Sequence, residues 1–145
     1  MSTSRSMDIE GDGLTRTILF VCLHGSAKSL IAAEHLNRLA ARQGFAVRGE
    51  SAGIEPDAEV PRAVVSGLAA DGTDVRAYRP RQITPELLAT AAHVVVCGCE
   101  LPAFMSSAPS MERWDDLPFV SDGYEPARSA IVERVEHLLK RLGST

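Results

Sequence analysis

Apolar and polar positions alternate along this chain in blocks that have the lengths of strands and helices. The first apolar run, 17–22, is rich in β-branched residues and ends on Cys22, which predicts a buried strand. A helical pattern follows over 26–42 and ends at Gly44. Residues 46–51 then return to the pattern of a strand. The opening third of the chain therefore reads as strand, helix and strand.

The same alternation continues in the second half of the chain. Proline at position 61 suits the first turn of a helix that ends near 71–72, and a shorter helix is predicted over 85–91. The apolar run 93–97 is predicted as the buried fourth strand, and 100–123 as an irregular, lid-like section. A long last helix is predicted from apolar residues at helical spacing: Ile131, Val135, Leu138 and Leu142.

Strands alternating with helices are typical of an α/β fold. We predict three layers, a four-stranded parallel sheet with helices on both faces. The length of 145 residues and 45% hydrophobic content suit a single domain, assigned to residues 15–145. Residues 1–14 are rich in Ser, Gly and Asp without an apolar core, which predicts a disordered tail and not a signal peptide.

Composition excludes several classes of function. A net charge of −4 without a basic stretch argues against nucleic acid as a partner. No apolar run approaches the roughly 20 residues that span a bilayer. Three cysteines are an odd number, which argues against a secreted disulfide framework and favours the cytoplasm. His93, Cys97 and Cys99 supply too few ligands for zinc, so neither a metal nor another cofactor is expected.

The junction between the first strand and the first helix carries the candidate chemistry. Cys22 stands at the carboxyl end of the strand and faces the amino end of the helix, where free N–H groups and the helix dipole attract anions. The same field favours thiolate over thiol, so one junction supplies a nucleophile and an oxyanion cradle. The expected oxyanion-binding residues are Leu23, His24, Gly25, Ser26, Ala27, Lys28 and Ser29.

Cys22, five residues, a cation and Ser29 together resemble the phosphate loop of the low-molecular-weight protein tyrosine phosphatases. The thiol-dependent arsenate reductases share that fold and loop. The resemblance implies that Cys22 attacks a phosphorylated substrate and that Ser29 donates a hydrogen bond to its thiolate. It continues through three further segments, and so covers about Thr17 to Leu142: Glu50–Gly53, Asp71–Thr84 and His93–Val96.

Two loop positions depart from the family pattern. Lys28 stands where the family has arginine, and a flexible ammonium replaces a rigid two-pronged donor. Losing one oriented donor to an oxyanion costs about 100- to 1000-fold in rate, so a weak or specialised enzyme is expected. Gly25 stands where the family has a left-handed asparagine. Glycine adopts positive φ without strain, so the cradle can keep its shape although a bracing amide is lost.

The proton donor of the family is an aspartate next to a proline on the lid. No Asp-Pro pair occurs in the corresponding stretch, 114–118. Asp116, and after it Asp115, are the candidates for this role. Helix capping or turn formation is the alternative explanation for both carboxylates.

Cys97 and Cys99 are candidates for redox chemistry, because some of the family's arsenate reductases carry a second thiol after this strand. A buried strand-end residue and an incidental cysteine are the alternative. Three functions therefore stay open. We favour phosphomonoester hydrolysis through a cysteinyl-phosphate; the alternatives are thiol-dependent arsenate reduction and a non-catalytic module that binds an oxyanion. The expected partners are a phosphate or arsenate oxyanion and a phosphorylated substrate.

Overall fold

The computed structural model describes residues 15–108 and 110–143, so the tail predicted over 1–14 lies outside the described residues. The strands are β1 (Arg16–Cys22), β2 (Val47–Gly53), β3 (His93–Val96) and β4 (Met111–Arg113). The α-helices are α1 (Lys28–Gln43), α2 (Arg62–Ala70), α3 (Pro85–Ala89) and α4 (Tyr124–Gly143). Two 3₁₀ helices cover Ala103–Ser107 and Val120–Asp122.

The four strands form one parallel sheet in the order β2-β1-β3-β4. Alternate residues of β1 face opposite sides of it. Phe20 and Cys22 pack in a core with α1, α2 and α4, whereas Leu19 and Val21 pack in a second core with α3 and the first 3₁₀ helix. Burial on both faces explains why β1 reads as a continuous apolar run. The predicted fold class is confirmed.

The fourth strand is not where the sequence pattern put it. Residues 93–96 form the third strand, and the fourth is Met111–Arg113, inside the section predicted to be irregular. This strand is three residues long and, among the described strands, pairs with β3 alone at the sheet edge. Its middle residue, Glu112, bonds to His93 Nε2 at 2.7 Å. A short polar edge strand has no apolar periodicity by which sequence analysis can find it.

The sheet order brings the carboxyl ends of three strands together. Cys22 pairs with Gly53 of β2, and the preceding residue, Val21, pairs with Val96 of β3. The chain runs from β1 to β2 on one side and later returns to β3 on the other side of β1. The loops that follow β1 and β3 therefore lead in opposite directions and leave a crevice between them. Along 15–108 and 110–143, none of the helices is both long and apolar enough to cross a membrane.

Candidate active site

Cys22 lies at the floor of a cavity at this edge of the sheet and is 6% exposed. The backbone N–H of Gly25 donates to its Sγ at 3.2 Å, and Ser29 Oγ lies 3.0 Å from the same sulfur. Both groups can donate to a thiolate, and together they stabilise a negative charge on the sulfur. The structure therefore brings together the predicted nucleophile, Gly25 and Ser29.

Ser51, at the end of β2, extends this network and was missed as a site residue. Its Oγ lies 2.7 Å from Ser29 Oγ and 3.4 Å from the carbonyl oxygen of Gly25, so its single proton can be donated to one or the other. Each hydroxyl has one proton. When Cys22 is a thiolate, Ser29 donates to the sulfur and Ser51 can donate to Ser29. A polar residue at the end of a buried strand beside the nucleophile's strand is the signal that could have revealed it.

The loop after β1 is held by a second segment of main chain. The carbonyls of three consecutive residues, 22–24, accept hydrogen bonds from the N–H groups of Ile54, Glu55 and Asp57 at 3.1, 2.7 and 3.1 Å. A trans peptide points its C=O and N–H in opposite directions. The N–H groups of 23–25 therefore point away from this second segment, and that of Gly25 reaches the sulfur.

Gly25 is required by its conformation and by its surroundings. Its φ is +62°, the left-handed conformation that the sequence predicted. A Cβ at this position would lie 2.6 Å from the backbone nitrogen of Gly53, which is well inside contact distance. Ser51 and the segment 54–57 brace the loop around Gly25.

The amino end of α1 opens onto the same cavity. Ala27 precedes the helix and provides no side-chain cap, and no acidic residue lies in the first turn. The first N–H groups of a helix have no partner within the helix and carry the positive end of its dipole. The hydroxyl of Ser26 does not cap them; it donates to Asp57 Oδ2 at 2.6 Å. This end of the helix is thus suited to an anion.

The cavity has a volume of about 440 Å³. It is lined by the loop after β1, by Asp57 and Pro61, by Cys97 and Gly98, and by residues 119–121. Lys28 reaches across it, with Nζ 4.5 Å from the ring centroid of Phe119, whose side chain is 63% exposed. A flexible cation over an aromatic face can turn toward an oxyanion bound in the same cavity.

His24 and Asp57 form a polar wall of the cavity. His24 Nδ1 lies 3.1 Å from the backbone oxygen of Glu55 and 3.5 Å from Asp57 Oδ1. Asp57 belongs to the loop after β2, where no sequence motif singled it out. Among the described residues that line the cavity, it is the one carboxylate.

Asp115 and Asp116 lie elsewhere. Asp115 accepts a hydrogen bond from Arg113 Nε at 3.0 Å, and Asp116 pairs with Arg134 of α4. The bond from Arg134 lowers the pKa of Asp116 below its usual value. Neither carboxylate lines the cavity, because an arginine holds each of them on the outer side of the lid. The structure thus differs from the expectation that they meet Cys22.

The two later cysteines have different positions. Cys97 lines the cavity with Cys22, and its N–H donates to Val21 O at 2.7 Å. Burial, and then the charge of Cys22, raises the pKa of the Cys97 thiol well above its usual value. Cys99 packs against the opposite core, where burial raises its pKa to about 11. Within 15–108 and 110–143, no three metal-ligating side chains are gathered around a common point.

Comparison with known proteins identifies this architecture. The family model described as low molecular weight phosphotyrosine protein phosphatase matches residues 17–110. The chain belongs to this family. The predicted resemblance is therefore confirmed, and the members of this family are enzymes.

Solved structures of named proteins share the fold. A thioredoxin-dependent arsenate reductase from Corynebacterium glutamicum is 22% identical with a TM-score of 0.73, covering 92% of this chain and 66% of that one. A low molecular weight protein tyrosine phosphatase from Bacillus subtilis is 20% identical with a TM-score of 0.76, covering 88% and 97%. An arsenate reductase from Archaeoglobus fulgidus is 25% identical with a TM-score of 0.68, covering 85% and 98%. Phosphatases and arsenate reductases are both among the neighbours, so the comparisons support either activity without separating them.

Proposed function

We propose that this protein hydrolyses phosphomonoesters through a cysteinyl-phosphate intermediate. The observation that carries the proposal is the double hydrogen bonding of the Cys22 sulfur, by Gly25 N–H at 3.2 Å and Ser29 Oγ at 3.0 Å, beneath the uncapped end of α1. This geometry supports a thiolate nucleophile with an oxyanion site directly above it.

The reaction has two steps. The thiolate of Cys22 attacks phosphorus, the P–O bond to the leaving group breaks, and a phosphocysteine forms. Water then attacks phosphorus, breaks the S–P bond and regenerates the thiolate with release of inorganic phosphate. Loop N–H groups and the Lys28 ammonium neutralise the phosphoryl oxygens in both steps.

Lys28 makes the enzyme weak or specialised. An ammonium neutralises charge but does not hold two oxygens at once, as a guanidinium does. We therefore expect oxyanion binding to be retained better than turnover. That the lid supplies the proton donor, through Asp116 or Asp115, stays a prediction. For Asp116 to act, its hydrogen bond with Arg134 must first break.

The test is a phosphatase assay with 4-nitrophenyl phosphate on the wild-type protein and two variants. We expect Cys22→Ser to abolish turnover and Lys28→Arg to raise it by up to about 100- to 1000-fold, because a fixed fork replaces a point charge. Lys140→Arg, an exposed substitution in the last turn of α4, is the matched control and leaves the rate unchanged.

A rate that survives Cys22→Ser contradicts the assignment of the nucleophile. A wild-type protein that binds inorganic phosphate in calorimetry but turns over neither phosphate esters nor arsenate is instead an oxyanion-binding module.

Arsenate reduction is the second candidate, and the presence of Cys97 in the same cavity favours it. Cys22 would attack arsenate with loss of water and form an S–As bond. Cys97 would then attack the Cys22 sulfur; an S–S bond forms, and the electron pair of the S–As bond leaves with arsenic as arsenite. A small-molecule or protein dithiol would reduce the disulfide.

A thiol-coupled arsenate assay distinguishes this candidate. If it is correct, Cys97→Ser loses arsenate reduction and Cys99→Ser keeps it, because Cys99 packs on the opposite core. Phosphatase activity that persists in both variants supports the hydrolase as the primary function.

A further inference from the structure

The proposed hydrolysis needs a proton for the leaving group, and the two lid carboxylates are held by arginines outside the cavity. Two titratable groups close to each other do line the cavity: His24, two residues after the nucleophile, and Asp57, whose Oδ1 lies 3.5 Å from His24 Nδ1.

The hydrogen bonds of His24 fix which ring nitrogen carries a proton. Its Nδ1 lies 3.1 Å from the backbone oxygen of Glu55, and a carbonyl oxygen only accepts. Nδ1 therefore carries a hydrogen, and Asp57 Oδ1 lies 3.5 Å from the same nitrogen. The nitrogen that can exchange a proton with a bound group is then Nε2, for which the described residues offer no hydrogen-bond partner. A carboxylate behind Nδ1 and an exchanging Nε2 are the arrangement of a histidine general acid–base.

Two hydrogen bonds hold Asp57 in place. Its Oδ2 accepts the Ser26 hydroxyl at 2.6 Å, and its backbone N–H donates to His24 O at 3.1 Å. The carboxylate and the imidazole are thus fixed to the same stretch of backbone as the oxyanion cradle. An orienting carboxylate that is anchored twice keeps the ring in one position relative to Cys22.

We propose that His24 is the general acid of this site and that Asp57 is its positioning residue; the proposal rests on the phosphatase function proposed above. In the first step the His24 Nε2–H protonates the leaving oxygen as the P–O bond breaks. In the second step neutral Nε2 takes a proton from the attacking water, which restores the starting state. The other ionisable side chains that line the same cavity are those of Asp57, Cys22, Lys28 and Cys97.

Leaving-group dependence tests this role separately from a role in binding. Phenolate is a poor leaving group that needs a proton, whereas 4-nitrophenolate leaves readily without one. We expect His24→Gln to reduce kcat on phenyl phosphate by about 100- to 10,000-fold, with a much smaller loss on 4-nitrophenyl phosphate. Asp57→Asn shows the same selectivity with a smaller loss. Competitive inhibition by inorganic phosphate is unchanged in His24→Gln, and the exposed His137→Gln is the control that alters neither substrate.

The outcomes separate the two proposals. Equal losses on both esters in His24→Gln, or no loss, overturn the role of His24 while Cys22→Ser still tests the nucleophile. A loss confined to phenyl phosphate in Asp116→Asn makes Asp116 the proton donor and overturns the role of His24. The same loss in Asp57→Asn, without such a loss in His24→Gln, makes Asp57 the proton donor and also overturns it. A wild-type protein that hydrolyses neither ester overturns the phosphatase proposal and this one with it.

Discussion

The cradle at residues 22–29 and the lid at residues 114–122 face the same crevice but are built differently. The cradle is held by main-chain hydrogen bonds to the segment 54–57 and by buried serine hydroxyls. The lid holds its carboxylates by ion pairs to arginine side chains at the surface. An anion site made of backbone depends little on residue identity, whereas a proton donor depends entirely on one side chain and its direction. The main-chain donors of the cradle therefore survive a departure such as Gly25, although Lys28 lowers turnover, whereas the lid loses its role when its carboxylates point elsewhere.

Replacing Gly25 of the cradle is expected to have the largest effect, and it tests whether the cradle depends on its backbone. Gly25→Ala adds a Cβ 2.6 Å from Gly53 N on a residue with φ of +62°. Backbone strain and steric overlap each cost about 1–3 kcal/mol, so we expect the free energy of unfolding to fall by about 2–6 kcal/mol, with loss of phosphate binding. Chemical denaturation and calorimetry measure the two effects.

Gly98→Ala is the matched control for that substitution. Its φ of +68° is similar, but the nearest atom to an added Cβ is the flexible Lys28 Nζ at 3.6 Å. We expect only the strain cost of about 1–3 kcal/mol. Equal destabilisation by the two variants would contradict the claim that Gly25 is packed against β2.

Acid should destabilise the fold through a buried histidine of α1. Burial, and then the charges of Arg38 and Arg128, lowers the pKa of His35 in α1 from about 6.5 to about 4. The unfolded chain binds the proton more readily, so this contribution is complete above pH 6.5 and is lost as pH falls toward 4. At 1.36 kcal/mol per pKa unit it amounts to about 3 kcal/mol. Denaturation between pH 4 and 7 measures it.

Replacing His35 by glutamine should flatten that pH dependence, because no titrating group then remains at the position. The exposed His137→Gln keeps the slope of the wild type. An unchanged slope in His35→Gln would show that another group causes the acid sensitivity.

Removing the hydroxyl that supports Ser29 should have an intermediate effect. Ser51→Ala deletes the donor 2.7 Å from Ser29 Oγ. A hydrogen bond between neutral groups is worth about 0.5–1.5 kcal/mol, so turnover on 4-nitrophenyl phosphate should fall by about 2- to 10-fold. The alkylation rate of Cys22 by iodoacetamide should fall in parallel. A loss of turnover with unchanged alkylation would indicate that Ser51 acts on the substrate and not on the sulfur.

The smallest expected effect is on the lid. Asp116→Asn removes an exposed ion pair with Arg134, and exposed pairs contribute little to stability. We expect no measurable shift in Tm by calorimetry. A large shift would mean that this bridge fastens the lid, and the contrast between the two regions would then be weaker than we infer.

Sequence patterns predicted the parts of the molecule that repeat a physical rule. The strand ending on Cys22 follows from its apolar, β-branched run, and the structure confirms it. The left-handed conformation of Gly25 was implied by the family resemblance, and its φ is positive in the structure. The edge strand at 111–113 was missed because three residues that are only partly buried or exposed carry no periodicity. Asp57 was missed because its position depends on where the loop after β2 turns, and no local pattern determines that.

The segment that follows β2 also affects how the site binds a ligand. The N–H groups of Ile54, Glu55 and Asp57 already hold the carbonyls of the loop after β1, so the anion site is preorganised before a ligand binds. Little conformational entropy is then spent on docking, and encounter with a small anion proceeds without a preceding rearrangement. We therefore expect the choice among phosphate esters to depend on the side chains at the mouth of the cavity, where Lys28 lies over the ring of Phe119.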